Sequence, residues 1–173
     1  NSLDNFDIKT IKKSDDFSVD EFVKQDSAKI AALSEKIRKM KRKGADAVIA
    51  IVHFGTEYQL PPNRRQKQIA KAFAEAGADV ILGSHPHILQ NIEKYTINKE
   101  GKEKNVLVAY SLGNFISSQV QRDSLLKDVG AILKFRLKKS PENSFSPIHI
   151  NGLLLLCRVH ILYMLYHTLI FLN

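Results

Sequence analysis

The chain has 173 residues, 44% of them hydrophobic, which is enough to bury one ordinary core and too little for two complete domains. Its 26 Lys+Arg against 18 Asp+Glu give a formal net charge of +8, which favours anionic partners such as phosphates, acidic polymers or an anionic membrane surface without choosing among them. The single cysteine, Cys157, excludes an internal disulfide and any cysteine-cluster metal site.

Residues 1–25 mix short apolar pairs with Asp and Lys, as in Lys12-Lys13-Ser14-Asp15-Asp16, and hold no sustained period, so they read as an opening segment or loop. Asn1 is followed by no signal peptide, and the chain reads as a portion of a longer protein. From Asp26 to Lys43, Ile30, Leu33, Ile37 and Met40 recur at steps of three and four, which predicts a helix with one face on a sheet. Lys36, Arg38, Lys39, Lys41, Arg42 and Lys43 crowd its last turns, where cations complement the macrodipole and face water, and Gly44 supplies the stop. No aromatic residues are interleaved with them for base stacking, which argues against a nucleic-acid partner.

A strand is predicted over residues 46–52, a loop over 53–63 and a helix over 64–76, with Ile69, Ala72, Phe73 and Ala76 inward and Gly77 as terminator. Val80-Ile81-Leu82 begins a second strand, and the β-α-β order predicts that the two strands are parallel. Beyond it come a strand over 88–97, a turn at Asn98-Lys99-Glu100-Gly101 and a returning strand over 106–110, then a polar loop Ser111-Leu112-Gly113-Asn114-Phe115. Residues 131–137 alternate Ile132, Lys134 and Arg136 against Ala131, Leu133, Phe135 and Leu137, the pattern of a strand with one solvated face.

Composition changes after Pro147, and residues 153–172 are almost wholly apolar, approaching the length that crosses a bilayer. Three readings stay open. A membrane helix has His160 and His167 against it, a buried terminal helix lacks amphipathic patterning, and an altered reading frame, the reading favoured here, accounts for a tail that shares neither composition nor period with what precedes it.

Both β-branched runs stop at histidines, His53-Phe54-Gly55 after the first and Gly83-Ser84-His85-Pro86-His87 after the second. In an open α/β sheet, ligands bind where the loops after the strands converge, so three imidazoles can meet at one sheet end. Neutral imidazole suits Zn, Mn and Fe, and an H-x-H pair stiffened by proline can aim both rings at one ion or at two neighbouring ones. A lone strand-end histidine such as His53 is more often a hydrogen-bonding loop residue; the His85-Pro86-His87 pair is harder to explain that way. Arg64, Arg65 and Lys67, just after the first histidine loop, are placed either to attract an anion or to face water as a helix start.

Three linked motifs carry a resemblance: His53-Phe54-Gly55-Thr56-Glu57-Tyr58, the stretch Gly77-Ala78-Asp79-Val80-Ile81-Leu82-Gly83-Ser84-His85-Pro86-His87, and Tyr110-Ser111-Leu112-Gly113-Asn114-Phe115. In this order and spacing, residues 46–119 resemble the CapA-type capsule synthesis family, also called the poly-gamma-glutamate biosynthesis family, which is similar to the calcineurin-type metallophosphoesterases. The resemblance implies an α/β fold, a four-layer α/β/β/α metallophosphoesterase-like sandwich, of which residues 26–140 are the carboxy-terminal part. Residues 1–25 then form the opening segment and 141–173 a linker and atypical hydrophobic tail.

By the same resemblance, His53 matches the isolated histidine after a strand, and His85 with His87 matches the H-x-H pair of a two-metal centre, with divalent Mn, Zn or Fe as the cofactor. Glu57 and Asn114 fall within family motifs and are expected to line the site. The amino-terminal Gly-Asp, Asn-x-Glu and Asn-His motifs are missing, so this chain is expected to hold a partial site. Serine at Ser84 is a mild variation.

The function implied is capsule or poly-gamma-glutamate biosynthesis in the cell envelope, membrane-associated or extracellular, with an anionic polymer or phosphoester as substrate. Other capsule synthesis proteins are the expected partners, and any membrane association comes through the parent protein. If active in that parent, the domain is a metal-dependent, phosphoesterase-like hydrolase. Two alternatives stay beside it: a non-catalytic binding or scaffold module for assembly or export of the polymer, and an inactive remnant of a disrupted gene.

Overall fold

The stripe of Ile30, Leu33, Ile37 and Met40 folds as helix α1 (Ser27–Arg42) in the computed structural model, which describes residues 27–99, 101–115, 127, 129–139 and 145–156. Ile30 and Ile37 are buried, and Leu33 and Met40 pack at the margin of the same core. Gly44 ends the helix at φ +93°, its N–H donating to the Lys41 carbonyl (3.1 Å) while Ala45 N–H reaches the Met40 carbonyl (3.1 Å). The cations of the last turns divide by role. Arg38 and Arg42 pair with Glu35 on the surface, whereas Lys41 turns inward to Asp79 Oδ2 (2.7 Å) and the Asp46 carbonyl (3.0 Å).

Strand β1 (Ile49–His53), helix α2 (Arg64–Ala76) and strand β2 (Val80–Ser84) form the expected β-α-β unit. Asn63 and Gln66 close a capping box, each side chain accepting the other's backbone N–H at 2.9 Å, and Gly77 caps the far end at φ +117°. Ile69, Phe73 and Ala76 face inward as the spacing predicts, joined by Ala70 and Ala74. The strands run parallel, with Ile49 opposite Val80 and His53 opposite Ser84.

Strands β3 (Ile92–Lys99) and β4 (Lys102–Ala109) make an antiparallel hairpin turning at Gly101, and β4 lies parallel to β2. The sheet order is β1-β2-β4-β3. β3 starts at Ile92, later than the sequence pattern suggests, because the residues before it serve the loops: Ile88 is buried, Leu89 bridges Leu112, and Gln90 N–H donates to the Ser111 carbonyl (3.1 Å).

The helices cover one face of this sheet, where Val52, Phe54, Ile69, Phe73, Ile81, Val106, Val108 and Tyr110 form the core. A second sheet follows, β5 (Val129–Lys139) antiparallel to β6 (Phe145–Leu156), and β6 contacts β4. Helices, four-stranded sheet and two-stranded sheet make an α/β arrangement compatible with the expected sandwich. β5 keeps the predicted alternation, with Ile132 and Lys134 exposed and Ala131, Leu133 and Phe135 partly covered. β6 takes residues that the sequence pattern places in a linker and the onset of the apolar run; an eleven-residue partner strand gives that run a ladder to join. The opening segment 1–25 and the tail beyond 156 lie outside the described residues. Among those described, no helix is long and apolar enough to cross a membrane.

Asp79, fully buried at the start of β2, fastens the layers together. Its Oδ2 accepts the Val48 N–H (2.7 Å) and pairs with Lys41, and its Oδ1 pairs with Lys104 (2.8 Å), which also donates to the Gly77 and Ala78 carbonyls (2.9 and 3.1 Å). A buried carboxylate is tolerated when paired and hydrogen-bonded in this way, and here it joins α1, β1, β2 and β4.

Candidate metal centre

Parallel pairing of β1 with β2 brings both histidine motifs to one sheet end, since His53 and Ser84 are the last cross-strand partners. The loop after β1 is then stitched to the turn after β2: Phe54 N–H donates to the Ser84 carbonyl (3.0 Å) and Tyr58 N–H to the Pro86 carbonyl (2.8 Å). Two glycines permit this approach. A Cβ on Gly83 would lie 2.1 Å from the Tyr110 carbonyl oxygen and 2.5 Å from Phe54 Cε1, and one on Gly55, at φ +112°, would meet the Gln66 side chain at 2.8 Å.

Backbone strain concentrates here. The described non-glycine residues with positive φ are Tyr58 (61°), His85 (103°) and His87 (59°), all on the facing loops. Each such conformation costs on the order of 1–3 kcal/mol and persists only where the surroundings enforce it. Pro86 and Ile88, both buried, hold the turn while leaving the two imidazoles half-exposed on its outer side.

The His53 and His85 ring centroids lie 4.6 Å apart, and those of His85 and His87 6.2 Å apart. The tightest donor set is Glu57, His85 and His87, whose ligand atoms lie within 4.8 Å of one another. Donors bound to one ion at about 2.0–2.2 Å are separated by at most about 4.4 Å, so the trio is spaced close to, and at its widest slightly beyond, what a single ion would hold. Two imidazoles and a carboxylate suit Mn, Fe or Zn.

His53 stands beside this trio, its Nδ1 3.2 Å from Ser84 Oγ. Burial lowers its pKa, and the neighbouring His85 and His87 lower it further, which keeps the imidazole neutral with a lone pair to offer. His87 Nδ1 meets Asn114 Oδ1 at 2.9 Å, and Asn114 Nδ2 donates to the Lys127 carbonyl (2.8 Å). Lys127 Nζ lies 4.3 Å above the Tyr58 ring, a cation–π contact that closes the group.

The sequence-predicted residues are distributed as follows. His53, His85, His87 and Glu57 come together; Asn114 touches His87; Arg64 and Arg65 stand on the first turn of α2, with Arg64 lining a separate groove beside β3. Glu57, expected only to line the site because it falls within a motif, is one of the three residues whose ligand atoms converge. Ser84 reads from sequence only as a variation within its motif, since its contact with His53 follows from strand register, and Lys127 carries no signal because it reaches the site through a backbone carbonyl 13 residues beyond Asn114.

The family model described as "Bacterial capsule synthesis protein PGA_cap" matches residues 4–119. Among curated proteins, the chain is 40% identical over 115 residues to the PGA biosynthesis protein CapA of Bacillus subtilis (strain 168), covering 64% of this chain and 27% of that protein. It is 43% identical over 84 residues to the capsule biosynthesis protein CapA of Bacillus anthracis, covering 49% of this chain and 18% of that one. The chain thus spans roughly a quarter or less of the length of these relatives.

Proposed function

Since the chain belongs to the bacterial capsule synthesis protein family PGA_cap, we propose that its histidine cluster is part of a divalent-metal centre serving the biosynthesis of poly-gamma-glutamate or a similar anionic capsule polymer in the cell envelope. The observation that carries this reading is the convergence of Glu57, His85 and His87 within 4.8 Å on strained loops at the carboxyl ends of parallel strands. Strain of this kind is concentrated at functional sites, and here it accompanies a turn that aims two imidazoles to one side.

In this reading His85, His87 and Glu57 hold the ion, with Mn, Zn or Fe as candidates, and His53 contributes to the same ion or a neighbouring one. Asn114 orients His87. A bound divalent ion would polarise a phosphoester or related bond and activate water. The imidazoles fix geometry and do not act as bases, and ligands outside the described residues complete the centre. The reaction class is metal-dependent hydrolysis or transfer in the intact protein, with other capsule synthesis proteins as partners and a membrane-associated or extracellular setting.

The scaffold alternative, in which the domain only holds the polymer, draws support from the net charge of +8. Metal analysis separates the two. After growth with added manganese, zinc and iron, the parent chain should carry stoichiometric metal that His53→Ala/His85→Ala/His87→Ala lacks; equal, trace metal in both would overturn the metal-centre reading.

A further inference from the structure

On α1 three of the cations pair with acids, Arg38 and Arg42 with Glu35 and Lys41 with Asp79. Helix α2 is different. Its first turn holds no acidic residue and its last turn no basic one, so its charge runs against the preference of the macrodipole. Arg64, Lys67 and Lys71, at steps of three and four, project from one side of it, along the wall of a groove of about 680 Å³ whose other wall is β3, with Lys94, Tyr95 and Thr96. Among the described residues Arg64, Lys67 and Lys94 make no ion pair, and Lys71 has a long, exposed contact of 3.9 Å with Glu75. β3 is also the last strand of its sheet, and its outer edge pairs with no described strand.

We propose that this groove is a binding surface for an extended chain of amide-linked glutamates, a polymer with a carboxylate on every repeat. Cations placed side by side repel one another, and Arg64, on the first turn of α2, sits where the macrodipole disfavours positive charge, so an anion laid along this row relieves both. Along the helix axis Arg64, Lys67 and Lys71 recur at about 4.5 and 6 Å, a row whose long, flexible side chains can each reach a separate carboxylate of an extended polyanion. Lysines on flexible stems suit separate carboxylates spaced along a chain better than the converging donors that single phosphates select. The outer edge of β3, which pairs with no described strand, offers backbone donors and acceptors to the amides of the same chain. This surface is separate from the histidine cluster and stands whether or not that cluster binds metal.

The test is binding of fluorescently labelled poly-γ-glutamate and poly-α-glutamate to the full chain, by anisotropy at about 50 and 200 mM salt, with neutral polyglutamine and inorganic polyphosphate as competitors. Lys67→Glu/Lys71→Glu should weaken binding at least about tenfold, while Lys39→Glu/Lys43→Glu, the same charge change at exposed positions by the end of α1, should alter it less than about twofold. Lys67→Gln/Lys71→Gln repeats the comparison if the reversal unfolds the chain. Preference for one polymer identifies the linkage the groove accepts. Equal losses in both charge variants would reduce the binding to net charge, stronger competition by polyphosphate would reassign the groove to phosphate, and no binding by the parent would end the proposal. His85→Ala/His87→Ala should keep polymer affinity, and the groove variant should keep metal, so this surface and the metal centre fail separately.

Discussion

His87 and Asn114 share a hydrogen bond of 2.9 Å between Nδ1 and Oδ1, and its direction is set by the rest of the asparagine. Because Asn114 Nδ2 donates to the Lys127 carbonyl, its Oδ1 is the acceptor, and His87 must carry its proton on Nδ1. That tautomer leaves the Nε2 lone pair pointing away from Asn114. Orientation of a ligand histidine by a carbonyl is the usual outer support of a metal site.

Removing that support should weaken metal binding without unfolding the domain. Asn114→Ala is expected to lower metal affinity by about 10–100-fold, the range for such partners. Metal-competition titration against a chromogenic chelator checks it; unchanged affinity would mean that His87 is held by the turn alone.

His85 adopts φ +103°, a conformation that suits glycine. The His85→Gly variant should therefore unfold at equal or higher urea concentration than the parent, with a gain of up to about 2 kcal/mol, while losing metal. A destabilised variant would show that contacts of the imidazole outweigh the strain.

Gly83→Ala should behave in the opposite way. With the Tyr110 carbonyl at 2.1 Å from the added carbon, β2 or β4 must move, and a loss of at least about 2 kcal/mol is expected, with metal binding falling alongside. Urea unfolding monitored by circular dichroism reads the first effect and metal content the second; a neutral substitution would refute the close approach.

Asp79→Ala leaves Lys41 and Lys104 without their buried counter-ion. A loss of about 3–5 kcal/mol is expected. The fraction that remains folded should still bind metal, which separates this variant from changes in the histidine turn. Metal stoichiometry per folded molecule, from size-exclusion fractions, decides the point.

Much of this arrangement is legible from the residues. The α2 bounds follow from Asn63, Gln66 and Gly77, local signals that need no tertiary information, and the helical stripe of α1 follows from Ile30 to Met40. His53 and His85 are predictable neighbours because a β-α-β unit makes its two strands parallel, so the carboxyl ends of adjacent strands lie side by side. What was not legible depends on long-range pairing. β6 exists as a strand through its ladder with β5, and its apolar composition alone is equally compatible with a helix. The turn inward of Lys41, from a row of cations otherwise facing water, is dictated by Asp79 on another element. The groove carrying Arg64 likewise appears only when β3 is laid beside α2.

Asp79 and His85 stand at opposite ends of β2, six positions apart and so separated by about 20 Å of extended chain. Substitutions that far apart, with no shared partners, combine additively. One short strand therefore acts as a spacer between the part of the molecule that must not change and the part that can. Cysteine or aspartate could replace either turn histidine to favour a different ion, and the anchored end of the strand would still hold the sheet to its helices.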